Sequence, residues 1–238
     1  MENMDIKNVF DYTFKNYYDI SDGYIKINDL KIKLNDRNSD IYNGDIGATF
    51  IREDYKWLRP KNCVVIDIGA NIGDSWIYFA QKGATKVIAL EPFPYSYRLA
   101  KENILNNGYG DKIILLNARY GKDSEINVED KLTGTGDLLT PSTNGIKIKI
   151  FSIKTLLDTY NIDSALLKMD CEGCEYNLLD EDNDTLRRFK RIQIEYHYGY
   201  ERLKNKFEEA GFKLRYTEPV VGADNENMHM GYIYAIKK

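Results

Sequence analysis

The chain has 238 residues, 43% of them hydrophobic, enough for the core of one large α/β domain or of a domain with an extension. A formal net charge of −4 argues against a nucleic-acid partner, whose phosphates want a basic face. The acidic N-terminus Met1-Glu2-Asn3-Met4-Asp5 is unlike a signal peptide, three cysteines make no secreted disulfide framework, and no apolar run approaches the roughly 20 residues of a membrane span, so a soluble cytoplasmic protein is expected.

Residues 1–55 read as an N-terminal extension and residues 56–238 as the main domain. Asp11 to Tyr18 has the pattern of a short helix. Tyr24-Ile25-Lys26-Ile27 and Leu30-Lys31-Ile32-Lys33-Leu34 alternate polar and apolar around Asn28-Asp29, the pattern of a β-hairpin. Arg52 to Leu58 leads as a helical turn into the first core strand, 63–68.

From there strands and helices alternate: helix 74–82 with Gly83 as its cap, strand 86–90, helix 94–107 and strand 112–117. Residues 121–150 break the rhythm. Turns at Thr133-Gly134-Thr135-Gly136 and Pro141-Ser142-Thr143-Asn144-Gly145 lie between strands at 125–129 and 146–151. Helix 152–160, strand 165–170, helix 174–188, strand 191–197 and helix 200–210 follow. The last two strands, 212–217 and 231–237, have no room between them for a crossover helix and should run antiparallel. The fold class is α/β: a doubly wound, mostly parallel Rossmann-like sheet closed by a C-terminal antiparallel hairpin, with ligands at the carboxyl ends of the strands.

Those ends carry the chemistry. The run Val64-Val65-Ile66-Asp67-Ile68 ends in the loop Gly69-Ala70-Asn71-Ile72-Gly73 and a helix follows at once, a geometry that brings backbone close to a nucleotide-like ligand. The strand Lys86-Val87-Ile88-Ala89-Leu90 ends in Glu91, placed to accept hydrogen bonds from two ribose hydroxyls. A dinucleotide loop has a glycine where this one has Asn71, and Asp67 would repel a pyrophosphate. An acidic loop suits a cofactor with no phosphates and a positive centre, and S-adenosylmethionine is such a cofactor. The alternative is a tight turn whose glycines serve backbone geometry alone.

The fourth core strand ends Lys168-Met169-Asp170-Cys171-Glu172-Gly173-Cys174-Glu175, and the fifth ends Glu195-Tyr196-His197. Lys168 and Asp170 share one face of their strand, as do Glu195 and His197. A lysine inside a central strand costs desolvation unless paired, and Glu195 is the partner expected. That pair is either structural or part of a group surrounding the reacting atom. His197, with an ordinary pKa near neutrality, is a candidate general base. Hard ligands gather at Asp170, Glu172, Glu195 and His197 as they would for a divalent cation, but the sequence reading assigns no metal. Cys171 and Cys174 have redox-motif spacing, yet the Glu-Gly between them is not the usual redox filling and a second pair for zinc is missing, so small apolar packing at a helix start is expected.

Val65 to Gly73, Ala89-Leu90-Glu91-Pro92, the helix ending Lys101 to Asn107, and Leu166 to Glu175 together resemble the FkbM-type methyltransferases over about residues 44–238. Those are class I S-adenosylmethionine-dependent enzymes, mostly assigned O-methylation of natural products and sugars. By that resemblance Asp67, Gly69, Asn71 and Gly73 would line the methionine part of the cofactor, Glu91 would hold the ribose, and Phe93 and Asn117 would lie near adenine. Lys168, Asp170, Glu172, Gly173 and Glu175 match the family's K-x-D-x-E-G-x-E signature, with the cysteines at its variable positions. The expected reaction is transfer of a methyl group to a hydroxyl of a small molecule or glycan. His197, Asp170 or Glu195 would take the proton and Lys168 would steady a developing alkoxide. The rivals are an RNA or DNA N-methyltransferase, although its Pro-Pro-aromatic turn is missing after the fourth strand, and a non-catalytic cofactor-binding scaffold.

Overall fold

The β-branched run from Val64 to Ile68 forms the strand around which the rest is arranged. A computed structural model describes residues 19–21, 23–34, 39–132, 138–221 and 227–238. The expected helix at Asp11 to Tyr18 and the turn at Thr133 to Gly136 lie outside the described residues.

In chain order the elements are β1 (Asp19–Ser21), β2 (Tyr24–Ile27), β3 (Leu30–Lys33), α1 (Ser39–Phe50), β4 (Val64–Ile68), α2 (Asp74–Gln81), β5 (Lys86–Leu90), α3 (Pro94–Asn107), β6 (Ile113–Leu116), β7 (Ala118–Tyr120), β8 (Ser124–Val128), β9 (Ile146–Phe151), α4 (Ile153–Thr159), β10 (Ala165–Met169), α5 (Asn183–Leu186), β11 (Phe189–Tyr196), α6 (Glu201–Glu209), β12 (Phe212–Tyr216), β13 (Val220–Val221) and β14 (His229–Lys237). Short 3-10 turns occupy Lys56–Leu58 and Cys174–Asp180.

The main sheet runs β12-β14-β11-β10-β4-β5-β6. Strands β11, β10, β4, β5 and β6 pair in parallel, and β14 lies antiparallel between β11 and β12. The order reverses between β4 and β10, so the crevice at their carboxyl ends is the switch point where ligands of such sheets bind. Both faces are covered, which is why β4, β5 and β10 read as nearly continuous apolar runs. A second sheet, β7-β9-β8, stands beside β5.

The hairpin β2–β3 packs on α3. Ile25, Ile27, Leu30 and Ile32 join one apolar core with residues of α2 and α3. Tyr24 Oη donates to Glu102 (2.8 Å), Lys33 Nζ pairs with the same carboxylate (2.9 Å), and Asn103 links the Lys33 backbone to the carbonyl of Ile72 in the glycine loop. The N-terminal hairpin thus braces the loop after β4 through one asparagine. Among the described residues, no helix is long and apolar enough to cross a membrane.

Three expectations change. Helix 174–188 is instead a 3-10 turn, a break at Glu181 and the short α5. The break has a cause: Asp182 caps α5 through the backbone of Thr185 (2.7 Å), while the buried Glu181 accepts from Ile153 N (2.6 Å) and lies near Tyr120 Oη. Helix α1 was not anticipated, because Gly44, Gly47, Asn43 and two aspartates make a poor helical composition. Strand β7 follows β6 with only Asn117 between them, too short a run to separate by pattern.

Candidate active site

The carboxyl ends of β4, β5, β10 and β11 converge. Gly69 N and Ala70 N both donate to the Leu90 carbonyl (3.1 and 3.0 Å), which folds the loop after β4 over the tip of β5. Gly69 has φ +80°, and a Cβ there would stand 1.7 Å from the Asp170 carbonyl oxygen. Glycine is therefore required because β10 passes directly against the loop. At Gly73, φ +98°, a Cβ would enter the Trp76 ring. These two glycines serve left-handed backbone and close approach of neighbouring elements.

Glu91 is 3% exposed. Its Oε2 accepts from Asn71 N (2.7 Å) and its Oε1 from Phe93 N (2.9 Å). Burial pushes its pKa up to about 8, against the pull of those two amides. A carboxylate accepts up to about four hydrogen bonds, so lone pairs remain for a diol. Asn117 donates to the Glu91 and Pro92 carbonyls (2.9 and 3.1 Å), so its amide nitrogen positions the turn after β5.

Asp67 is wholly buried. Ser75 Oγ donates to its Oδ2 (2.6 Å), and Lys168 Nζ lies 3.2 Å from its Oδ1. The Lys168 ammonium also donates to the Gly69 carbonyl (2.8 Å) and lies 5.7 Å from the centre of the Tyr55 ring. The expected Lys168–Glu195 pair is thus corrected: the carboxylate partner is Asp67. The register is the reason, since Lys168 stands opposite Asp67 on β4 and opposite Gln193, not Glu195, on β11. Burial disfavours the Lys168 charge, but Asp67, Asp170 and Asp74 outweigh it and its pKa rises. Asp67 accordingly spends its charge on Lys168 rather than on a ligand's ammonium.

A cavity beside this pair is lined by Tyr55, Lys168, Asp170, Gln193, Glu195 and Tyr232. Burial first and then Asp170 push Glu195 up to about 8, and burial raises Asp170 as well. Asp45 on α1 is raised to about 7 by burial, Asp74 and Asp170. Gln193 is 2% exposed; its Nε2 donates to the Asp54 carbonyl (3.1 Å), and its Oε1 has no hydrogen-bond partner.

His197 is 1% exposed. Its Nδ1 lies 3.0 Å from Glu175 Oε1 and its Nε2 3.2 Å from Glu172 Oε2. Burial disfavours the imidazolium, but hydrogen bonds to Glu172 and Glu175 overcome this and raise the pKa to about 11. In this arrangement the two carboxylates favour the imidazolium, which works against the expected role of general base. Glu175 also receives His197 N and Gly173 N, both at 2.9 Å, and so ties the turn after β10 to the end of β11.

Cys171 and Cys174 form a disulfide, not the unbonded packing expected; Cys63 is free. The bridge encloses Glu172 and Gly173, both left-handed at φ +55° and +103°. Such a turn brings the two sulfurs together, which spacing alone does not reveal. Sequence reasoning also missed Ser75, Tyr55, Gln193 and Asp45. Of these, Gln193 could have been found from its two-residue spacing to Glu195, which puts both on one strand face.

A sequence model of the methyltransferase FkbM domain matches residues 67–214. Uncharacterized protein 158B of Sulfolobus islandicus rod-shaped virus 1 is 28% identical over 143 residues, covering 60% of this chain and 66% of that protein. Among solved structures, a proposed transferase of Pyrococcus horikoshii aligns at TM-score 0.52 and 18% identity, covering 92% of this chain and 73% of that one. Trm5b of Pyrococcus abyssi aligns at TM-score 0.52 and 15% identity, covering 90% and 56%. Likeness at these identities shows the fold alone.

Proposed function

The chain belongs to the FkbM methyltransferase family, and from that premise we propose that it uses S-adenosylmethionine to methylate a hydroxyl of a small molecule or glycan. One observation carries the cofactor reading. The loop 67–73 has no basic side chain, and the Lys168 ammonium beside it is already engaged by Asp67. A pyrophosphate would find no counter-charge there, whereas a sulfonium cofactor needs none.

When bound, the cofactor supplies an electrophilic methyl group. Glu91, held by Asn71 and Phe93, would accept from the ribose hydroxyls. The backbone of Gly69, Asn71 and Gly73 would line the methionine part, and Phe93 at the start of α3 would lie toward adenine. Asn117 would act through the loop it holds. The acceptor would enter the cavity between Tyr55 and Tyr232. Asp170 or Glu195, the carboxylates lining that cavity, would accept its hydroxyl proton. Gln193 Oε1, an acceptor without a donor, suits a second hydroxyl of the acceptor. Lys168 would hold the Gly69 carbonyl and keep the loop closed on its partner strand.

The test is thermal unfolding with ligands at a hundredfold excess over Kd, which stabilises a fold by about 2.7 kcal/mol. S-adenosylmethionine and S-adenosylhomocysteine should shift the transition and NAD should not. A shift with NAD alone would overturn the cofactor reading.

A further inference from the structure

We propose that Asp170, Glu172 and His197 form a binding site for one divalent cation, with Asp170 also lining the acceptor cavity. One ligand atom from each lies within 4.8 Å of the other two. Bonds of about 2.0–2.6 Å put two ligands of one cation at most about 4–5 Å apart, so the three donors meet without rearrangement of the strands.

The histidine is oriented for this task. Glu175, wholly buried, accepts from Nδ1 and from the backbone of His197. That keeps a proton on Nδ1 and turns Nε2 toward Glu172, where a cation would displace the second imidazolium proton, the arrangement by which a carboxylate orients a metal-bound imidazole. Glu172 is held in a left-handed turn within the Cys171–Cys174 bridge, with its side chain 26% exposed, which leaves a path for an ion.

One acceptor beside Asp170 lacks a donor: the buried Gln193 Oε1 has no hydrogen-bond partner in the cavity that Asp170 also lines. A water or acceptor hydroxyl on a cation held by Asp170 would answer it. One imidazole with two carboxylates suits a cation of intermediate hardness, for which Mn2+ is the probe. Three protein ligands leave coordination positions open to a substrate oxygen, which such a cation polarises.

The site stands apart from the methyl-transfer reading, because it is measured with no cofactor or acceptor present. Titration of the full chain with Mn2+, followed by the loss of the free-ion electron paramagnetic resonance signal, should show one ion per chain. Asp170→Asn removes a charged ligand at nearly unchanged shape and should weaken binding at least tenfold. Glu175→Gln should weaken it about 10–100-fold by releasing the imidazole. Asp163→Asn, on an exposed loop remote from the site, should leave it unchanged. Should Glu175→Gln fail to fold by circular dichroism, Asp170→Asn carries the test. No saturable binding to the folded wild-type chain at 1 mM Mn2+, or an Asp170→Asn chain that binds like wild type, would overturn the proposal.

Discussion

Lys168 on β10 faces Asp67 on β4 across the switch point, with Nζ 3.2 Å from Oδ1 and both side chains at most 3% exposed. The contact is a charge pair placed by parallel register, and the same ammonium holds the Gly69 carbonyl. It locks the two strand tips between which the proposed cofactor and acceptor would meet.

Breaking this pair from one side should be costly. Lys168→Met leaves a buried carboxylate and should lose roughly 3–5 kcal/mol in denaturant unfolding. Adding Asp67→Asn should recover much of that loss. Equal stability of the single variant and wild type would remove the pair as a structural element.

Gly69→Ala should fail for a backbone reason. The left-handed conformation alone costs a non-glycine residue about 1–2 kcal/mol, and the added Cβ would collide with the Asp170 carbonyl, which cannot swing aside as a side chain could. Denaturant unfolding should show a loss above that range, with weakened cofactor binding by calorimetry.

How much of this was legible follows from where the information sits. The strand Val64 to Ile68, the helix Pro94 to Asn107 and the hairpin around Asn28-Asp29 are local patterns, and the structure has them where the pattern puts them. The antiparallel pairing of β12 with β14 followed from the short connection alone. The partner of Lys168 depended on the register between β4 and β10, strands distant in the chain, which hydrophobic alternation does not set. The protonation of His197 depended on Glu172 and Glu175, residues visible in the sequence motif but folded back onto the next strand only in three dimensions. The disulfide depended on two left-handed residues in succession, one of them glutamate, which composition does not announce.

The glutamate after β5 makes stability depend on pH. Its pKa is raised from 4.5 to about 8 in the folded chain, so the folded state holds a proton that the unfolded state releases. The associated stability is fully present below about pH 4.5 and is lost as pH rises through 8. Glu91→Gln should flatten that decline by at least about 1.4 kcal/mol, the worth of one pKa unit. Glu91→Ala should weaken S-adenosylmethionine binding by about 0.5–1.5 kcal/mol at neutral pH, where the raised pKa leaves the group mostly protonated and its hydrogen bonds those of a neutral acid. A stability profile that Glu91→Gln leaves unchanged would place the titration elsewhere.

The bridge in the turn after β10 should be countable. Of three cysteines, one is free, so thiol titration of the unreduced, denatured chain should find one thiol and the reduced chain three. Closing so short a loop is worth about 2 kcal/mol by chain entropy, and reduction should lower stability by no more than that. Three thiols before reduction would show the pair unbonded.

The most direct test of the account is transfer of a labelled methyl group from S-adenosylmethionine by the purified chain into a fractionated cell extract. The expected result is label in small molecules or glycans as an alkali-stable methyl ether, lost in Asp170→Asn and in Glu91→Ala. Label confined to nucleic acid, or no transfer by a chain that binds the cofactor, would contradict it.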